Sequence, residues 1–139
     1  MLTEIDIISR FIAAALIGAI LGIARKDKPA GARTFALICL GSAIFTSVSI
    51  NGAFGTYDAS RIVAQIVSGI GFLGVGVIWK TGINKPSGLT TAAAIWVCAS
   101  IGVLVGMGIW LEVIVGAILT VAILLSKNLE KKKKQKKLA

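Results

Sequence analysis

Charge is missing from five long stretches of this chain. No Asp, Glu, Lys or Arg falls between Arg10 and Arg25, between Arg33 and Asp58, between Arg61 and Lys80, between Lys85 and Glu112, or between Glu112 and Lys127. A helix needs roughly 20 apolar residues to cross a hydrocarbon core of about 30 Å, and in lipid every backbone polar group must be satisfied within the segment. With 56% hydrophobic residues and a mean hydropathy of +0.90, 139 residues cannot cover a water-soluble core with polar surface. The sequence therefore predicts an all-α integral membrane protein, a compact bundle of about five transmembrane helices near 5–24, 34–54, 62–79, 89–107 and 109–126. Gly106, Met107 and Gly108 leave almost no loop between the last two, so a tight helical hairpin is expected there. The first span follows Glu4 and Asp6 rather than a basic leader, which predicts a retained helix and not a cleaved signal.

Lysine and arginine placement predicts orientation. Arg25, Lys26, Lys28, Arg33, Lys80, Lys85 and the seven lysines of 127–139 gather on one side, thirteen against Arg10 and Arg61 on the other. The positive-inside rule then sets the N-terminus outside and the C-terminus in the cytoplasm. The chain divides into a transmembrane domain, 1–126, and a basic cytoplasmic tail, 127–139. That tail carries +6 of the net +9, so the charge argues for a tether to anionic headgroups and not for nucleic acid.

Small residues recur every fourth position along three spans. Ala14, Gly18 and Gly22 follow Arg10 in the first, Cys39, Ala43, Ser47 and Asn51 line the second, and Thr90, Ala94, Cys98, Gly102 and Gly106 the fourth. Such stripes let helix backbones approach in lipid, where packing rather than water exclusion drives association. The third span carries Gly69, Gly71, Gly74 and Gly76, at roughly 1 kcal/mol each relative to alanine in a helix interior in water. At about 100° per residue these glycines fall on two opposite faces, which predicts a central helix touching neighbours on both sides.

Chemistry tests come back negative. Gly69, Gly71 and Gly74 fit G-x-G-x-x-G, but without a preceding strand, a helix opening at the motif or an acidic residue about 20 positions on, no nucleotide site is encoded. The chain has no histidine, Cys39 and Cys98 lie within apolar runs, and no span pairs carboxylates. Neither a metal site, a cofactor, a disulfide nor a catalytic constellation is expected.

Several motifs together resemble one family. Gly31-Ala32-Arg33-Thr34 opens an apolar helix. Asp58, Arg61 and Gln65 lead into Ser68-Gly69-Ile70-Gly71-Phe72-Leu73-Gly74-Val75-Gly76, and Gly88-Leu89-Thr90-Thr91-Ala92-Ala93 follows. In this order and spacing, from about Gly22 to Gly106, they look like the MgtC/SapB membrane proteins. The resemblance implies a five-span protein of the bacterial cytoplasmic (inner) membrane, linked to magnesium-limited growth and intramacrophage survival, and in some members to restraint of the ATP synthase. Some members place an acidic residue after the third span and an asparagine at the start of the fourth, where this chain has Thr81 and Thr90; Cys98 matches their cysteine. Roles tied to the missing side chains do not carry over. Many members append a soluble domain after the fifth span, so the expectation here is the transmembrane domain alone.

Each candidate site has two readings. Asp58, Arg61, Gln65 and Ser68 share one helical face, which is either a polar path reaching inward or an interfacial cap with Arg61 paired to Asp58. Arg10 either snorkels to the surface or enters a buried ion pair. Arg33 with Thr34 is either a topology anchor or an anion contact. Lys80 and Lys85 are read as topology determinants. Two functional classes follow. In one, a regulatory module engages a membrane-protein partner or itself, as a homo-oligomer, through small-residue faces. In the other, a channel or transporter conducts magnesium or another small ion along the Asp58–Ser68 face. Magnesium favours oxygen ligands, usually including carboxylates, and no Asp or Glu lies in the middle of any span.

Overall fold

The computed structural model describes residues 3–25, 30–51, 58, 60–79 and 88–138, the side chains of Trp79 and of 127–138 excepted. They form five helices in sequence: α1 Glu4–Ile23, α2 Ala32–Ile50, α3 Ser60–Trp79, α4 Leu89–Met107 and α5 Trp110–Leu138. The first four are long and apolar enough to cross a membrane, and in α5 the apolar part is Trp110–Ser126. No strand occurs among the described residues. The all-α membrane bundle expected from the charge-free stretches is therefore present. Two ends differ from expectation. α2 stops at Ile50, where Asn51 returns its N–H to Ser47 O, and α5 continues as helix past Ser126 through the lysine run.

Local chemistry sets the helix ends. Thr3 and Asp6 form a capping box on α1: the Thr3 hydroxyl oxygen accepts from Asp6 N–H at 3.2 Å and the Asp6 carboxylate accepts from Thr3 N–H at 3.1 Å. The expected hairpin lies between α4 and α5. Gly108 adopts φ 78°, its N–H reaches Val105 O, and Ile109 N–H reaches back to Leu104 O at 3.1 Å. This left-handed stop suits glycine because a Cβ would be strained at that φ.

Packing concentrates on α4, which touches all four other helices. Its buried residues form two adjacent rows: Thr91, Ala94, Cys98, Ile101 and Val105, with Ile95, Ala99, Gly102 and Gly106 alongside. The stripe begins at Thr91; Thr90 is exposed. Four glycines permit direct backbone contact. A Cβ on Gly18 would lie 2.5 Å from Phe35 O, one on Gly22 2.5 Å from Ala32 Cα, and one on Gly106 2.8 Å from Ala43 O, while one on Gly102 would collide with Cys39 O. The Cys98 thiol donates across the same seam to Phe35 O at 3.3 Å. Apart from their exposed end members Asn51 and Thr90, the stripes on α1, α2 and α4 press three helices together at backbone distance.

The central placement of the third span is overturned. α3 packs on α4 and, less closely, on α2, at the edge of the bundle. A Cβ on Gly69, Gly71 or Gly76 would meet nothing within 4 Å, and one on Gly74 would make only an ordinary contact, 3.6 Å, with Ala92. The glycines of α4 face the α2 backbone, and those of α3 largely face outward, so α4 takes the central place. Gly102→Ala is expected to cost about 1–3 kcal/mol by overpacking, read as a lower thermal midpoint in detergent. Gly71→Ala should leave that midpoint unchanged or raise it, and equal losses in the two variants would contradict this arrangement.

Candidate functional site

Polar groups gather at the two ends of the bundle and along the outside of α3. At the start of α3, the Asp58 carboxylate accepts the Ser60 N–H at 2.9 Å and the Asp58 carbonyl accepts the Arg61 N–H at 3.2 Å. These bonds satisfy donors that open any helix. The Ser60 N–H holds the Asp58 carboxyl below its usual range, with a smaller pull from Arg61. Asp58 thus bonds the backbone at the start of α3, and the Arg61 charge contributes only the smaller pull.

Arg61, Gln65 and Ser68 share a face as their spacing predicts, and that face is exposed. Ser68 donates only to Ala64 O of its own helix, at 3.4 Å. Gly69, Phe72 and Gly76 continue the face, with Phe72 80% exposed. Within one chain the face points away from α2 and α4, so it lines no interior passage.

Arg10 follows neither of its expected courses. Its guanidinium crosses from α1 to the end of α4, donates to Gly106 O at 2.7 Å and lies against Gly108. The cation sits at the negative end of the α4 dipole and covers a carbonyl left over where the helix stops. A glycine-terminated helix facing a lone arginine was the available sequence signal.

The opposite end holds a residue read from sequence only as a topology charge. Arg25 follows α1, is 7% exposed, and donates from Nη2 to the Thr91 hydroxyl oxygen at 2.5 Å. Burial pulls its pKa down from the ordinary arginine value. Of the family-motif residues, the fold brings Thr91 to Arg25 and leaves Arg33, Thr34 and Thr90 exposed. Lys80, Thr81 and Lys85 lie outside the described residues. No group of three or more His, Cys, Asp or Glu gathers as for a metal ion among the described residues.

Thr91→Val keeps the shape of the side chain and removes the acceptor from a buried cation. It is expected to cost about 1–3 kcal/mol, and Thr91→Ser should recover most of the loss in thermal unfolding. Because the Asp58 carboxyl is lowered in the fold, its contribution is present above the unfolded-state value and is lost as pH falls through the folded one. Asp58→Asn should flatten the loss of α3 helicity below about pH 4, measured by circular dichroism.

Comparison with known proteins adds a lineage to this geometry. The family profile described as MgtC family matches residues 11–132. The chain is 39% identical to Protein SrpB of Synechococcus elongatus over 125 residues, covering 80% of this chain and 69% of that protein. It is 42% identical to Protein SapB of Bacillus subtilis over 116 residues, 77% of this chain and 50% of that protein. With Protein MgtC of Salmonella typhimurium it shares 48% identity over 103 residues, 73% of this chain and 43% of that protein. The chain therefore spans half or less of the length of the latter two. No solved structure matches it. The tight α1–α2–α4 seam, the α3 glycine run and the Thr91 helix start thus lie in a chain that belongs to the MgtC family.

Proposed function

We propose that this protein is a regulatory module of the bacterial cytoplasmic membrane, N-terminus outside, acting by contact with another membrane protein or with its own copies, and serving adaptation to low magnesium. The observation that carries this reading is the outward face of α3. Gln65 and Ser68 sit on an exposed side of an apolar helix beside Gly69 and Gly76, which have no neighbour. An amide facing lipid lacks partners and is costly there, and glycines beside it offer a place for a second helix to come close. A partner helix on this face satisfies both conditions, and a second copy of the chain supplies one without further components. No catalytic step is proposed. The link to magnesium rests on the family, and the match to part of SapB and MgtC limits what transfers from either.

A conducting reading uses the same side chains differently. Several copies would have to turn Arg61, Gln65 and Ser68 toward a shared axis. Serine, glutamine and carbonyl oxygens would then be the ligands, a poor set for a strongly hydrated divalent ion.

Crosslinking tests self-association through α3, and a flux measurement separates the two readings. With Gly69→Cys in native membranes, oxidative crosslinking is expected to give a covalent dimer, whereas Ile8→Cys on the lipid side of α1 is expected to stay monomeric. Purified protein in liposomes is expected to pass neither magnesium nor anions. Flux that disappears in both Arg61→Ala and Gln65→Ala would overturn the regulatory reading, and absence of any Gly69→Cys crosslink would overturn self-association through α3.

A further inference from the structure

The outward face of α3 carries a periodicity of its own. Ile62, Gln65, Gly69, Phe72 and Gly76 follow one another in alternate steps of three and four residues. A helix with this 3.5-residue repeat offers one continuous seam to a neighbour in a left-handed crossing. In heptad terms Ile62, Gly69 and Gly76 hold the a positions, and Gln65 and Phe72 the d positions. The side of α3 that the chain itself covers lies opposite: Ile70 and Val77 pack on the core, and Gly74 meets Ala92. Those three are b and f positions, so the whole seam faces away from α2 and α4.

The seam is complementary to itself. Copies inserted the same way round present α3 in parallel, and a two-fold axis along the membrane normal then sets each seam residue beside its own counterpart. A carboxamide both donates and accepts, so two Gln65 side chains at one depth satisfy each other, whereas one facing lipid alone satisfies neither group. A d-position side chain enters a hole formed by two successive a residues with the d and e residues between them on the facing helix. For Phe72 the walls of that hole are Gly69, Phe72, Leu73 and Gly76 of the second copy, and the two glycines leave space for an aromatic ring. In the single chain Phe72 is 80% exposed, and a Cβ on Gly69 or Gly76 would meet nothing within 4 Å, so ring and hole are both unfilled. We propose that two copies of this chain associate through a parallel α3 seam, with their Gln65 amides paired toward the Ser60 end and Phe72 of each copy seated between Gly69 and Gly76 of the other. This rests on the reading of α3 as the contact face and commits that face to a second copy. An unrelated helix would have to bring an amide at the depth of Gln65 and a large side chain at the depth of the glycines; a second copy brings both.

The test is a cysteine scan of α3 in the full chain, one substitution at a time, crosslinked oxidatively in native membranes and again after reconstitution of purified protein in liposomes. Covalent dimer is expected with cysteine at positions 62, 65, 69, 72 and 76 and not at 67 or 71. The unsubstituted chain, whose Cys39 and Cys98 are buried, should give none. With Gly69→Cys as reporter in liposomes of graded protein density, Gln65→Leu is expected to weaken dimerisation roughly three- to tenfold. Gly76→Ile fills the hole and should abolish the dimer. Because the single chain leaves Gly76 open, that variant should keep the thermal midpoint of dilute protein in detergent. Crosslinks at 65, 69 and 73 with none at 72 or 76 would assign a period of four and a right-handed crossing, and crosslinks centred on 67 and 71 would assign another face. Either result overturns this seam and leaves self-association through α3 in place. A Gln65→Leu dimer as strong as the parent overturns the amide pair. Crosslinks in native membranes to a protein of different mass, with none in liposomes, overturn the second copy and leave contact through α3 standing.

Discussion

Everything in this bundle depends on the backbone of α2 being reachable from both sides. Gly102 and Gly106 of α4 press against the turns around Cys39 and Ala43, and Gly18 of α1 presses against Phe35 and Ala36. In lipid no hydrophobic drive separates helix contact from lipid contact, so the preference for this arrangement comes from the number of atoms brought into dispersion range. A single added methyl at these positions removes that advantage along the whole seam. The hydroxyls of Ser42, Thr46 and Ser47 are buried in the same seam, and Thr46 donates to Ser42 O at 2.8 Å within its own helix, so polarity in the core adds no unpaired hydroxyl there.

With the interior occupied by backbone, the ends and the outer face are left to carry function. The two buried or half-buried arginines serve as struts between helices far apart in sequence: Arg10 ties α1 to the end of α4, and Arg25 ties the end of α1 to the start of α4. α3, attached mainly to α4, presents its polar and glycine positions outward. The seam is thus filled by backbone contacts, the ends are tied by the two arginines, and α3 lies outside them on α4.

How much of this was legible depended on whether a residue's role is local. Helix existence followed from charge-free length, and the α4–α5 corner from Gly106 and Gly108, because both are properties of adjacent residues. The stripes Ala14-Gly18-Gly22 and Ala94-Cys98-Gly102-Gly106 were also readable, since a period of four marks one side of a helix. What spacing does not encode is which helix stands opposite. Glycine at 69, 71, 74 and 76 permits close approach but does not supply the partner, so the richest glycine run belongs to the edge helix. Arg25 illustrates the same limit: an arginine at a helix end has the same local appearance whether it faces solvent or Thr91, 66 positions away.

The reach of Arg10 has a consequence for how the chain is assembled. Its acceptor, Gly106 O, lies 96 residues later in the sequence. Synthesis delivers the first helix long before that carbonyl exists, so until the α4–α5 corner is in place the charge facing Arg10 along α1 is that of Asp6, one turn earlier. A polypeptide cut short before Gly106 lacks the carbonyl to which Arg10 donates. The bond of Arg10 therefore closes only after α4 has joined α1, however early the first helix itself is made.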